Sequence, residues 1–279
     1  MRVVLLANEA SGSGTDAVDL ETALRAAGAD VRRLPIDRCG EAAAQGPERV
    51  IVAGGDGSVA PAADAAGEIG VPLAVVATGT ANDFARRMEL PADAAEACRL
   101  AVRGTRLRRL DLARLGDRPF VNVANAGLAT AAARHAGPLK GALGPLAYMV
   151  GAARTAVTER PVRCAVSCDG REVFSGEAWQ LMVGCSGAFG AGSRLAEADP
   201  ADGLLDVVAI AAGPRLRLAR HAYGLRRGRV SEQPGVVHGR GREVDLHLPP
   251  DARMNVDGEL LPPAARAVVD PGRFELVVA

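Results

Sequence analysis

The chain has 279 residues, 33 Lys+Arg against 33 Asp+Glu, and a formal net charge of zero. That length holds one large domain or two ordinary ones, and 48% hydrophobic residues with balanced charge exclude a disordered chain. Zero net charge gives no global pull toward nucleic acid or an anionic membrane, and 3% aromatic residues argue against base-stacking platforms for single strands.

The N-terminal apolar run stops at Asn8-Glu9, too short for a secretory signal. Within it Val3–Ala7 reads as a buried strand. Asp16–Ala27 reads as a helix, with Thr15 as N-cap and Gly28 as stop. Strands follow at Asp30–Leu34, Arg49–Ala53 and Pro72–Val76, with helices at Ala60–Glu68, Ala81–Met88 and Ala92–Val102. This alternation predicts a parallel α/β sheet whose ligands sit beyond the carboxyl ends of the strands.

After about Leu107 short alternating strands dominate: Arg108–Arg114, Phe120–Asn125, Val162–Cys168, Ala178–Gly184, Leu205–Ile210, Glu243–Leu248, Arg253–Val256 and Glu275–Val278. Helical patterns interrupt near Leu143–Thr158 and Arg215–Arg227. The fold class expected is α/β, with a Rossmann-like parallel domain over 1–118, a β-rich sandwich over 119–279 and a cleft between them. The longest apolar stretch, Leu143–Val157, contains Arg154 and falls short of a membrane span, so a cytoplasmic location is expected. Five cysteines are an odd set, and Cys164 and Cys168 stand about 13 Å apart along a strand, beyond disulfide reach.

Three polar, glycine-rich segments follow strands of the first part. They are Asn8 through Ser11 to Thr15, Gly54-Gly55-Asp56-Gly57-Ser58, and Thr78-Gly79-Thr80-Ala81-Asn82-Asp83-Phe84. Backbone N–H groups at helix starts suit phosphate, and the hydroxyls of Ser11, Ser58 and Thr80 offer further donors. One such loop is ordinary turn chemistry, whereas three on one rim point to nucleotide phosphate. GxxxxGK[ST] is absent and Lys140 is the lone lysine, which excludes a P-loop NTPase. GxGxxG is absent after the first strand, which disfavours a Rossmann dehydrogenase.

Gly54-Gly-Asp-Gly-Ser58 and Gly79-Thr-Ala-Asn-Asp-Phe-Ala85 resemble the signature pair of the diacylglycerol-kinase catalytic superfamily, which includes bacterial lipid kinases, sphingosine kinases and, more distantly, NAD kinases. Asn122-Val-Ala-Asn-Ala-Gly127, Gly187-Ala-Phe-Gly, Asp199-Pro-Ala-Asp-Gly-Leu-Leu-Asp206 and Val256-Asp-Gly-Glu259 resemble later segments of that family in the same order. The chain departs from the family pattern at Glu9, Ser58, Pro61, Ala77 and Thr78.

The resemblance implies a kinase using ATP and Mg²⁺ on a lipid alcohol such as diacylglycerol, at a membrane surface and not on nucleic acid. Two alternatives stay open: a catalytically weak nucleotide-binding regulatory relative, and a kinase for a soluble alcohol in the manner of NAD kinases. A homodimer also stays open. Asn8, Ser11, Gly54, Gly55, Asp56, Gly57, Ser58, Gly79, Thr80, Asn82 and Asp83 would hold the nucleotide, with Asp56 near its phosphates. Asn82-Asp83 reads equally as the first turn of a helix.

Asp257-Gly-Glu259 reads alone as a hairpin turn; the resemblance makes it catalytic. If extended, it puts both carboxylates on one face, Glu259 as base and Asp257 as its support. The resemblance also implies a structural Mg²⁺ held by the Asp202 carboxylate and the carbonyls of Asp199 and Leu204. Arg226-Arg227-Gly-Arg229, with Arg240 and Arg242, is by default a solvated face, and alternatively a rim for anionic headgroups. The four histidines form no triad or metal set.

Overall fold

The apolar runs of the N-terminal part pair side by side. β1 (Arg2–Ala7) lies between β2 (Asp30–Pro35) and β3 (Arg49–Gly54), and β3 pairs with β4 (Leu73–Ala77), all in parallel. The structure, a computed structural model, describes residues 1–7, 17–136, 155, 157–190 and 192–279.

Parallel strands need covering on both faces. Helices α1 (Ala17–Ala26) and α4 (Ala94–Arg103) cover one, burying Leu20, Leu24, Ala97 and Ala101 against Val3, Leu5, Ile51 and Val76. Helix α2 (Asp56–Ile69) and the 3-10 segment Ile36–Gln45 cover the other. The buried face of α2 is mainly alanine (Ala60, Ala62, Ala63, Ala66), so the helix packs close to Val50, Val52 and Leu73.

Helix α2 starts at Asp56, four residues before the expected start at Ala60. Burial of Val59, Ala60, Ala62 and Ala63 overrides the poor propensities of Gly57 and Pro61. The Asp-Gly-Ser of the glycine loop is therefore the first turn of a helix. Pro61 lacks the N–H that would bond the carbonyl of Gly57 four residues back.

A short α3 (Asp83–Arg87) follows β4. The β-rich part then runs β5 (Arg106–Leu115), β6 (Arg118–Phe120), β7 (Val123–Gly127), α5 (Leu128–Ala136), β8 (Val162–Cys168), β9 (Arg171–Gly184), β10 (Ala188–Phe189), β11 (Ser193–Arg194) and β12 (Leu205–Ala211). After it come α6 (Arg217–Arg227), β13 (Val236–Gly241), β14 (Glu243–His247), β15 (Met254–Val256), β16 (Glu259–Leu261) and β17 (Arg266–Val278). The first half of β9 pairs with β8 and its second half with β7 and β12, all antiparallel. The enclosed core contains Leu181, Val183, Val207, Ala209, Val244, Leu246 and Val256. The one strand expected over Phe120–Asn125 is two, broken at Val121-Asn122.

β17 is far longer than the expected Glu275–Val278. Its first residues pair with β14, its length pairs with β5, and Leu276 pairs in parallel with Leu73 of β4. The C-terminal strand thus carries the β-rich part back into the parallel sheet, and fifteen of the described strands form one continuous sheet, with β10 and β11 paired apart from it. Asp64 of α2 fixes this junction, accepting from Arg114 of β5 at 2.6 and 3.0 Å and from Arg273 of β17 at 3.0 Å. Expectations on Thr15 and most of Leu143–Thr158 fall outside the described residues. All five cysteines are free, and no described helix is long and apolar enough to cross a membrane.

Candidate active site

The carboxyl ends of β3 and β4 lie side by side, with Gly54 opposite Ala77 and the Thr78 N–H donating to the Gly54 carbonyl at 3.0 Å. The two glycine loops then touch. A Cβ on Gly79 would lie 2.5 Å from the Gly55 Cα and 2.8 Å from the Asn82 Oδ1, closer than any side chain allows. Asn82 takes a left-handed conformation at φ 50°. Its Oδ1 accepts the Gly79 N–H at 2.9 Å and its Nδ2 donates to the Gly79 carbonyl at 2.8 Å.

The Asp56 carboxylate reaches across to α3, accepting the N–H groups of Asp83 at 3.0 Å and Phe84 at 2.8 Å. It therefore caps α3, which Asn82 does not. Asp83 is buried and its Oδ1 accepts the Gly192 N–H at 3.1 Å, tying α3 to the β10–β11 hairpin. The helix-turn reading fits the backbone of Asp83, the first residue of α3, but not the left-handed Asn82, whose side chain closes its own loop on Gly79 while that of Asp83 reaches the β10–β11 hairpin.

The β-rich part supplies the opposite wall. Asp257 and Gly258, at φ 46° and 96°, form the two-residue turn between β15 and β16, with Val256 opposite Glu259. This corrects the extended segment considered for residues 257–259. Asp and Gly both tolerate positive φ, and the turn sends the two carboxylates different ways.

The Asp257 carboxylate folds inward and accepts the N–H groups of Val121 at 2.8 Å, Asn122 at 3.0 Å and Val123 at 3.1 Å. This clamp is what breaks the strand between β6 and β7. Burial pushes the Asp257 carboxyl up to about 7; the three N–H donors oppose the shift and the nearby Asp56 charge adds to it. Glu259 is exposed, and its Oε2 accepts from Arg118. Its Oε1 faces the first turn of α2, 3.3 Å from where a Cβ on Gly57 would stand.

Asn122 joins the two walls and is buried. Its N–H donates to Asp257, its Nδ2 donates to the Asp56 Oδ1 at 3.1 Å, and its Oδ1 accepts the Ser186 hydroxyl at 2.7 Å. Sequence reasoning did not single out Asn122, although it opens the quoted Asn-Val-Ala-Asn segment. Arg118 carried no signal among so many arginines.

The structure thus gathers Gly54, Gly55, Asp56, Gly57, Gly79, Asn82, Asp83, Asp257 and Glu259. Ser58 is buried, at 3% exposure, within α2, whereas Thr80 is exposed at its loop. Asn8 and Ser11 lie outside the described residues. Asp199, Asp202 and Leu204 form their own turn. The Asp202 Oδ1 accepts the Leu204 N–H at 3.0 Å, and its Oδ2 is paired with Arg240. Asp199 accepts the Ala201 N–H at 3.1 Å and is paired with Arg108 at 3.4 Å. Among the described residues no three His, Cys, Asp or Glu side chains gather as a metal-ligand set. The Arg240 guanidinium, also 3.0 Å from the buried Asp206, is shared between the two carboxylates and holds the Asp202 oxygen that a Mg²⁺ at this turn would need.

Residues 2–115 match the diacylglycerol kinase catalytic domain, and residues 122–278 match the YegS C-terminal NAD kinase beta sandwich-like domain. A Klebsiella pneumoniae (strain 342) protein named "Probable lipid kinase YegS-like" is 31% identical over 239 residues, covering 80% of this chain and 78% of that protein. A crystal structure of a diacylglycerol kinase from Bacillus anthracis superposes with a TM-score of 0.80 at 22% identity, covering 100% of this chain and 97% of that one. An Archaeoglobus fulgidus NAD kinase solved in complex with ATP superposes with a TM-score of 0.51 at 14% identity. With its two halves matched in order and its sandwich built as that second description says, the chain belongs to the lipid-kinase family that pairs a diacylglycerol kinase catalytic domain with a YegS-type C-terminal domain.

Proposed function

We propose that the chain transfers the γ-phosphoryl group of Mg·ATP to a hydroxyl of a lipid alcohol such as diacylglycerol. One observation carries the reading: Glu259 reaches from the β-rich part to the first turn of α2, where Gly57 leaves room for it, while Asn122 bonds the carboxylates of both walls. The start of α2, which follows two glycines and carries the positive end of the helix dipole, suits the nucleotide phosphates. Asp56, Asn82 and Gly79 hold the two loops at fixed spacing, so the donors are placed before substrate arrives.

Arg118 holds one oxygen of Glu259 and leaves Oε1 to accept the proton of the attacking hydroxyl. Asp257 acts as a positioning residue, fixing the 121–123 backbone and, through Asn122, the Asp56 wall. The Mg²⁺ that accompanies ATP neutralises phosphate charge and belongs to the substrate. A structural Mg²⁺ at Asp199, Asp202 and Leu204 would first have to displace Arg240.

The test is transfer from radiolabelled ATP to a panel of diacylglycerol, phosphatidylglycerol, sphingosine and NAD. Labelled lipid product formed by the parent, and formed roughly 10²–10⁴-fold more slowly by Glu259→Gln, supports the reading. Label on NAD alone would replace the lipid acceptor with a soluble one, and no label on any acceptor, with ATP still bound, would leave a nucleotide-binding relative.

A further inference from the structure

Residues 212–229, between β12 and β13, contain six arginines and no acidic residue. Helix α6 lies inside this stretch. Its inner face is Leu218, His221, Gly224 and Leu225; the leucines pack on the Trp179 and Ile210 cluster, and His221 Nδ1 meets the Gln233 Oε1 at 2.8 Å. Its outer face follows from helical spacing. Leu216, Arg220, Tyr223 and Arg227 are separated by four, three and four residues, so they form one stripe. Leu216 is 93% exposed and Tyr223 62%, and the Arg227 guanidinium lies 5.3 Å over the Tyr223 ring.

We propose that α6 docks the chain onto an anionic lipid surface. Large apolar side chains interleaved with arginine fit the headgroup layer, where leucine enters the acyl boundary, tyrosine sits at the polar edge and guanidinium meets phosphate. Contact with an acidic protein or a nucleic-acid backbone would satisfy the arginines but leave Leu216 in water. The placement also suits a lipid acceptor. Arg226 Nη1 lies 3.5 Å from where a Cβ on Gly192 would stand, and the Gly192 N–H donates to Asp83. Docking α6 therefore holds the loop wall one hairpin away from the bilayer. The purpose of docking rests on the kinase reading; the docking itself does not.

The test is co-sedimentation of the full chain, without nucleotide, with vesicles of phosphatidylcholine alone and of phosphatidylcholine mixed with phosphatidylglycerol. The parent should bind the anionic vesicles and release them at high salt. Arg220→Ala with Arg227→Ala should weaken binding roughly 30-fold, about fivefold for each arginine removed from an anionic surface. Leu216→Ser should also weaken it with an unchanged melting temperature, because the side chain is almost wholly exposed. Equal binding by parent and variants, equal binding to neutral vesicles, or no parent binding overturns the proposal. So does equally tight binding of a DNA duplex through the same arginines. A parent that binds vesicles yet transfers no phosphate would fail the kinase reading and leave this one standing.

Discussion

Gly79→Ala and Gly57→Ala separate the two jobs of the glycine loops. A methyl on Gly79 meets backbone: 2.5 Å to the Gly55 Cα, where ordinary carbon contacts are about 3.5–4.0 Å, so the loops must part by about 1 Å. Overpacking of this kind costs roughly 1–3 kcal/mol, and losing the Asn82 bond to the Gly79 N–H adds about 1 kcal/mol. The expected loss is about 2–4 kcal/mol, with ATP affinity falling at least tenfold as the phosphate donors spread.

A methyl on Gly57 crowds the end of a flexible side chain, Glu259 Oε1 at 3.3 Å, and otherwise makes ordinary contact, with the Asp257 carbonyl at 3.7 Å. Alanine for glycine in a helix is also favourable by up to about 1 kcal/mol. Gly57→Ala should therefore melt at or above the parent while its turnover falls, because Glu259 is pushed from the α2 start. Urea unfolding, ATP calorimetry and transfer kinetics on both variants decide this. A Gly79→Ala protein with parental stability and ATP affinity would refute the argument that the Gly55–Gly79 contact sets the loop spacing.

Glu259→Gln should lower turnover by roughly 10²–10⁴-fold with ATP affinity nearly unchanged, and Arg118→Ala should lower it less, since it removes only the residue that orients Glu259; parental turnover in Glu259→Gln would move proton acceptance elsewhere. Because the Asp257 carboxyl titrates near 7 when folded and about 3.9 when unfolded, the folded state binds the extra proton between these values. Its contribution to stability should fall as pH rises from about 4 to about 7, by at most about 1.4 kcal/mol per unit, and Asp257→Asn should flatten that slope; parallel pH–stability profiles would contradict the assignment. Arg240→Ala should free Asp202, so added Mg²⁺ should raise the melting temperature of this variant more than that of the parent, while Asp202→Ala should show no such gain; equal shifts in all three would show that no cation binds this turn.

Local sequence determined the elements that local physics controls. The strand–helix alternation of the first hundred residues predicted the parallel sheet, because apolar runs of strand length bounded by glycine have one economical arrangement. The glycine loops were legible for the same reason: Gly54–Ser58 and Gly79–Asp83 each follow a strand and open a helix. Tertiary structure decided the rest. Nothing local says that β17 returns to β4, since that pairing joins Leu276 to Leu73 across some two hundred residues. Nor does any local pattern reveal that Asp56 caps a helix twenty-seven residues away, that Asp257 clamps the backbone of 121–123, or that Arg240 occupies Asp202. A carboxylate's role follows from the donors packed around it, and in this chain those donors come from distant segments that meet only when the sheet closes.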